Sequence, residues 1–316
     1  MPQLFDLPRE LRDLIYMAVI TWERPQPTLE DTSSSWGYYQ IGRTQGYGTG
    51  CDFSREKPPS TCANVLAVSR QFNQEMRQSI DCARRRGLLV ARMDCIANGN
   101  HHHFTWLSIP IVHSKPPVKS PDVVAGWAPK VPVVGKLLAA CQRKKDIDYA
   151  TTSIEQLQIN IRLLEKDGEQ YGIPLEPTTS WYVCAALKRI CEHRLELLPT
   201  PSWPPSVAIE TLVLNIVPPD RSAKDTRGRR DSANSKPSHP EDDMDIAHIV
   251  ARELVDVWNK LWSGHEFKGR LYGKLLERIE RVRVCVDGVL IRERDLKLEL
   301  ERGQAERKRI AQRVGW

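Results

Sequence analysis

Ile154-Glu155-Gln156-Leu157-Gln158-Ile159-Asn160-Ile161 decides the fold, because its pattern returns twice. It recurs as Ile209-Glu210-Thr211-Leu212-Val213-Leu214-Asn215-Ile216 and as Ile279-Glu280-Arg281-Val282-Arg283-Val284-Cys285-Val286. All three fit I-E-x-φ-x-φ-x-φ, where φ is aliphatic. Alternation puts the last three φ residues on one face of a strand. Each segment follows a stretch with helical spacing: Lys136 to Lys145, Trp181 to Leu197, and Met244 to Trp262. In the last of these Ala247, Val250, Leu254, Val257, Trp258 and Leu261 share a side, and Phe267 to Leu276 extends the series. Pro240 followed by Glu241-Asp242-Asp243 is a start signal and Ser263-Gly264 a stop. Alternating helices and strands predict a largely parallel sheet with helices packed against it.

Upstream, Leu89 to Cys95 and Phe104 to Ile109 have strand length and apolar content, and Asn98-Gly99 between them marks a turn, so they read as a hairpin. Before the hairpin the period is helical. Pro8 suits a first helical turn, and Leu11, Leu14, Ile15, Ala18 and Val19 form one apolar stripe with Arg9, Arg12 and Asp13 off it. A second helix, from about Ala63 to Arg86, carries Val65, Val68, Phe72, Met76, Ile80 and Ala83, and Gly87 supplies the left-handed stop. Neither helix buries a stripe alone, so the two are expected to pack together through Leu11, Ile15, Val68 and Phe72.

These residues carry a resemblance. Leu7-Pro-Arg-Glu-Leu-Arg-Asp-Leu-Ile-Tyr16, with Leu66-Ala-Val-Ser-Arg-Gln-Phe-Asn-Gln-Glu75, resembles the F-box-like proteins of filamentous fungi. The two pieces cover about a tenth of the chain and are split by residues 21–61. A related fungal family with paired E-x-R motifs tolerates such an insert. Glu10-Leu11-Arg12 fits its first motif, and Arg70-Gln71-Phe72-Asn73 departs from its second. The resemblance implies docking on a Skp1-type adaptor of a cullin ubiquitin ligase through Leu7, Pro8, Leu11, Ile15 and Tyr16, with the body holding an unknown target protein. The alternative is a non-catalytic scaffold or binding protein whose F-box-like helices are purely structural. A docking helix needs apolar residues beyond those its own core consumes, and Leu7, Pro8 and Tyr16 lie partly off the main stripe.

The I-x-x-L-x-[IL] core of each strand also resembles a leucine-rich repeat. The starts lie 55 and 70 residues apart, against roughly 20–29 in regular repeats, so the repeat is degenerate. The expected fold class is α+β to α/β: N-terminal F-box-like helices, then an irregular α/β body with a mixed, partly parallel sheet. The expected divisions are an F-box-like module over 1–87 with its insert at 21–61, a body over 88–217 and 244–288, a disordered insert at 218–243, and a charged C-terminal helix over 289–316.

Composition narrows the class. At 316 residues, 41% hydrophobic and 27% charged, the chain has globular composition. It has neither an apolar run of membrane-spanning length nor a secretory leader, which predicts cytoplasm or nucleus and no membrane partner. The eight cysteines form no C-x-x-C pair. Net charge is +6, and the segment His265 to Trp316 holds 14 basic against 9 acidic residues. That reads as a solvated charged end, with nucleic acid an unlikely partner.

Candidate chemistry is thin. His101-His102-His103 would point to alternate faces of a strand, so at most two could share a metal. Cys184 and Cys191 suit a core. Gly46-Tyr-Gly-Thr-Gly50 lacks the strand, helix and nearby lysine of a phosphate loop, and no G-x-S-x-G or H-E-x-x-H occurs. The expectation is a binding protein rather than an enzyme, with no catalytic residue, metal or cofactor. Arg229-Arg230-Asp231-Ser232 fits a basophilic kinase pattern and makes Ser232 a weak phosphorylation candidate.

Overall fold

In the computed structural model of the chain the described residues are 4–33, 37–40, 51–56, 69–98, 101–109, 113–115, 151–164, 179–192, 207–219, 240–263 and 267–303. They form an α/β structure around one mixed sheet of nine strands. The sheet order is β1 (Tyr38–Gln40), β2 (Cys51–Ser54), β4 (His101–Ser108), β3 (Ala91–Asn98), β6 (Thr151–Leu163), β7 (Val207–Val217), β8 (Ile279–Val286) and β9 (Val289–Asp295). β5 (His113–Lys115) pairs on β6. β3 and β4 are the expected hairpin.

The three I-E segments are β6, β7 and β8, adjacent and parallel. They also share one register. Ile154, Ile209 and Ile279 lie in line, as do Leu157, Leu212 and Val282. Alternation alone would put the leading Ile and the φ three residues later on opposite faces. In each strand the phase slips at the Glu-x step, where neither residue is buried, so the Ile and all three φ residues point into the same core. The motif is thus a shared irregularity that stays in register across three strands.

On that core face lie helices Thr179–Glu192 and Pro240–Ser263, with the short helices Phe267–Tyr272 and Leu275–Arg278 beside them. Val183, Ala186, Leu187, Leu254, Val257 and Trp258 pack against Ile159, Leu212 and Leu214, all buried. The opposite face of the sheet carries polar pairs beside the buried Ile96. Asn215 donates to Asn160 at 3.2 Å, and the buried Asp94 carboxylate is paired with Arg162 at 2.6 Å.

Two expectations are corrected. The insert over 21–61 is not set apart from the body: Tyr38–Gln40 and Cys51–Ser54 are sheet strands, and Cys51 and Phe53 join the main core. Its first residues lie along the body, with Glu23 paired to Arg92 at 2.8 Å, the Arg24 N–H donating to the Leu107 carbonyl at 3.0 Å, and Arg162 donating to the Pro27 carbonyl at 2.5 Å. The second correction concerns 289–316. Residues 289–295 are strand β9, antiparallel to β8, and a helix follows over 296–303. The Asp287-Gly288 turn has φ of 47° and 76°, both positive as a two-residue hairpin requires. Charges that alternate along β9 find partners across the strands: Glu293 meets Arg281 and Arg283 at 3.4 and 3.3 Å. The expected helix Lys136 to Lys145, residues 220–239 of the expected insert 218–243 and Ser232 lie outside the described residues, while residues 240–243 of that insert open the helix Pro240–Ser263 and are not disordered.

Candidate functional site: the paired N-terminal helices

Helix α1 (Arg9–Ile20) begins after Pro8. Its Arg12 reaches back to the Leu7 carbonyl at 2.6 Å, which fixes the entering turn. The second helix, written α3 because Leu29–Ser33 forms α2, spans Arg70–Arg85. Ser69 caps it by accepting from the Phe72 N–H at 3.1 Å, and Gly87 stops it at φ 67°. It starts later than the sequence suggests, and Val65 and Val68 lie outside the described residues.

The helices meet, but not through the expected side of α1. At 100° per residue, Arg9, Asp13, Tyr16 and Ile20 cluster on one side and Leu11, Leu14, Ile15, Ala18 and Val19 on the other. The first side is the one that faces α3. Tyr16 is fully buried, its ring edge-on to Phe72 at 5.0 Å, and with Ile20, Met76, Ile80, Ala83 and Leu89 it makes a core separate from that of the sheet. Leu11, Leu14, Ile15 and Val19 are 46%, 66%, 40% and 43% exposed. Of the four residues expected to join the helices, Phe72 does so, while Leu11 and Ile15 turn outward. Pro8 is exposed and Leu7 half-buried. Tyr16, expected at a docking edge, instead points inward.

On that inward side lies Glu75, to which the sequence assigned no role. Its buried carboxylate accepts from Arg12 through two bonds of 2.9 and 2.8 Å, from the Tyr16 hydroxyl at 2.8 Å and from Gln71 at 3.0 Å. Arg9 stands 3.5 Å away. A bidentate guanidinium pair is the strong form of this contact. The hydrogen bonds, Arg12's first among them, hold the Glu75 carboxyl down to about 2. Asp13 is lowered as well, chiefly by its hydrogen bond from Arg9 and then by that from Ser79. Burial, then Glu75, raises the Tyr16 hydroxyl. A signal existed in the sequence: Gln71, Glu75 and Ser79 recur at i, i+4, i+8, a polar row on an otherwise apolar helix side.

The other candidate residues have structural settings. His102 is buried, stacked on Tyr182 at 4.4 Å and 3.2 Å from the Thr179 hydroxyl; burial pulls it down to about 3. His101 and His103 face the other way, 3.7 and 3.6 Å from Asp52. Among the described residues no group of three or more His, Cys, Asp or Glu side chains is placed to hold a metal ion. Cys184 and Cys191 lie in the core, and burial pushes the Cys191 thiol up to about 12. No described helix is long and apolar enough to cross a membrane. Comparison with family models, with curated proteins and with solved structures returns no match.

Proposed function

We propose that this chain is an F-box-like substrate receptor whose α1 docks a Skp1-type adaptor, while the α/β body holds a target protein for a cullin-type ubiquitin ligase. One observation carries the reading: α1 keeps its apolar stripe outward while its polar side and Tyr16 satisfy α3. A helix serving only its own fold normally turns its stripe inward. Among the described residues, Leu11, Leu14 and Ile15 lie outside the small core that α1 helps to build. Pro8, at 60° from Leu11 on the wheel, continues the same side, so the docking set becomes Leu7, Pro8, Leu11, Leu14, Ile15 and Val19. Tyr16 leaves the set and supports it from within.

The test is co-purification of the chain with a Skp1-type adaptor, repeated with Leu11 and Ile15 both replaced by Ala. Capture by the parent, lost in the double variant with an unmoved thermal midpoint, supports a receptor. Truncating exposed anchors removes binding, often ~2 kcal/mol or more at a hot spot, without opening a cavity. If the parent captures no adaptor, the receptor reading fails and the structural-scaffold reading replaces it.

A further inference from the structure

We propose that Glu75 is a positioning residue that sets the roll of α1, and so decides which side of that helix is presented to a partner. Its bearing on function rests on the docking reading above, while the roll itself can be tested without any partner.

The two sides of α1 compete for the same surface of α3. The outer side carries Leu11, Leu14, Ile15 and Val19, and the hydrophobic effect alone would turn it inward. The inner side is mixed, with Arg9, Arg12 and Asp13 beside Tyr16 and Ile20. What favours the mixed side is a carboxylate in the floor of the contact. Glu75 is nearly buried and draws three side chains onto its two oxygens: Arg12, Tyr16 and, from its own helix, Gln71. Arg9 also donates to the Glu75 carbonyl at 3.4 Å, and Ser79 links that carbonyl to Asp13 with contacts of 3.3 and 3.1 Å. Rolling α1 to bury Leu11 and Ile15 would place aliphatic carbons on the carboxylate and strip away every donor supplied by α1. A buried charge without partners is strongly disfavoured. One charge on α3 therefore holds the apolar side of α1 in solvent, and it does so through Arg12 and Tyr16 rather than by touching a partner.

The experiment uses single cysteine reporters in the full chain, read by peptide-resolved maleimide labelling so that the native cysteines do not interfere. Leu14→Cys reports the outer side and Ile20→Cys the inner. With Glu75 present, position 14 should label at least tenfold faster than position 20. With Glu75→Met, similar in size but apolar, labelling should fall at 14 and rise at 20. Glu75→Gln removes the charge but keeps one acceptor oxygen for Arg12 and Tyr16, so its labelling should fall between that of the parent and that of Glu75→Met. An unchanged ratio in folded Glu75→Met overturns the inference. So does fast labelling at both positions, since Glu75 would then hold α1 folded rather than oriented. Adaptor capture, measured in parallel, judges the docking reading separately: a parent that labels as described but captures nothing leaves the roll intact and removes its partner.

Discussion

Replacing Tyr16 by Phe isolates one atom of the α1–α3 contact. The ring stays against Phe72 at 5.0 Å, so no cavity opens, and only the hydroxyl donating to Glu75 at 2.8 Å is lost. A hydrogen bond to a charged group contributes about 1.5–3 kcal/mol. Glu75 keeps both Arg12 bonds and that of Gln71, which places the loss near the low end, about 1.5 kcal/mol, or roughly tenfold in the opening equilibrium. The effect should be local, because Tyr16 belongs to a small core distinct from that of the sheet. Hydrogen exchange followed peptide by peptide should therefore quicken about tenfold in α1, with β6 and β7 unchanged. Tyr16→Ala, which also removes the ring, should approach the ~3–5 kcal/mol of a large aromatic truncation. The reasoning fails if Tyr16→Phe leaves α1 exchange untouched but abolishes adaptor capture, for Tyr16 would then be a contact residue on the surface.

Leu214→Ala, at a fully buried position of a central strand, should lower stability by ~2–5 kcal/mol in urea titration, whereas Leu14→Ala should change it by no more than ~0.5 kcal/mol. Arg162→Met leaves the fully buried Asp94 carboxylate without its cation and releases the Pro27 carbonyl; a loss of ~3–5 kcal/mol is expected, with faster exchange in residues 22–27. Because the Glu75 carboxyl is held at about 2, below its ordinary 4.5, its contribution is complete above that ordinary value and fades as pH falls from there towards 2. Exchange in α1 should accelerate across that window in the parent, and clearly less in Glu75→Gln. Gly288→Val forces a β-branched residue to a φ of 76° and should lower the thermal midpoint, since left-handed backbone costs about 1–2 kcal/mol outside glycine.

The sequence by itself determined the elements whose signal is local. Three I-E-x-φ-x-φ-x-φ segments became three parallel strands in one register because the pattern repeats. Alternation gave the shared face of the last three φ residues, whereas the leading Ile reached that face only through the slip at the Glu-x step. The β3–β4 hairpin, the long helix from Pro240 and the stop at Gly87 were legible for the same reason: turn residues, caps and apolar periods act over a few residues. The tertiary structure decided what depends on competition between distant surfaces. The apolar stripe of α1 was visible in the sequence. Whether it faced the core turned on Glu75, 63 residues beyond Arg12, because a buried carboxylate must recruit donors wherever the chain brings them. The same holds for Cys51 and Phe53, whose flanks resemble a loop until neighbouring strands supply hydrogen-bond partners and a core. It holds too for β9, where Arg292-Glu293-Arg294-Asp295 suits a solvated helix until β8 sets Arg281 and Arg283 opposite Glu293 and Asp295. Local spacing fixes which residues share a side of an element, and the side that ends up buried depends on what the rest of the chain places against it.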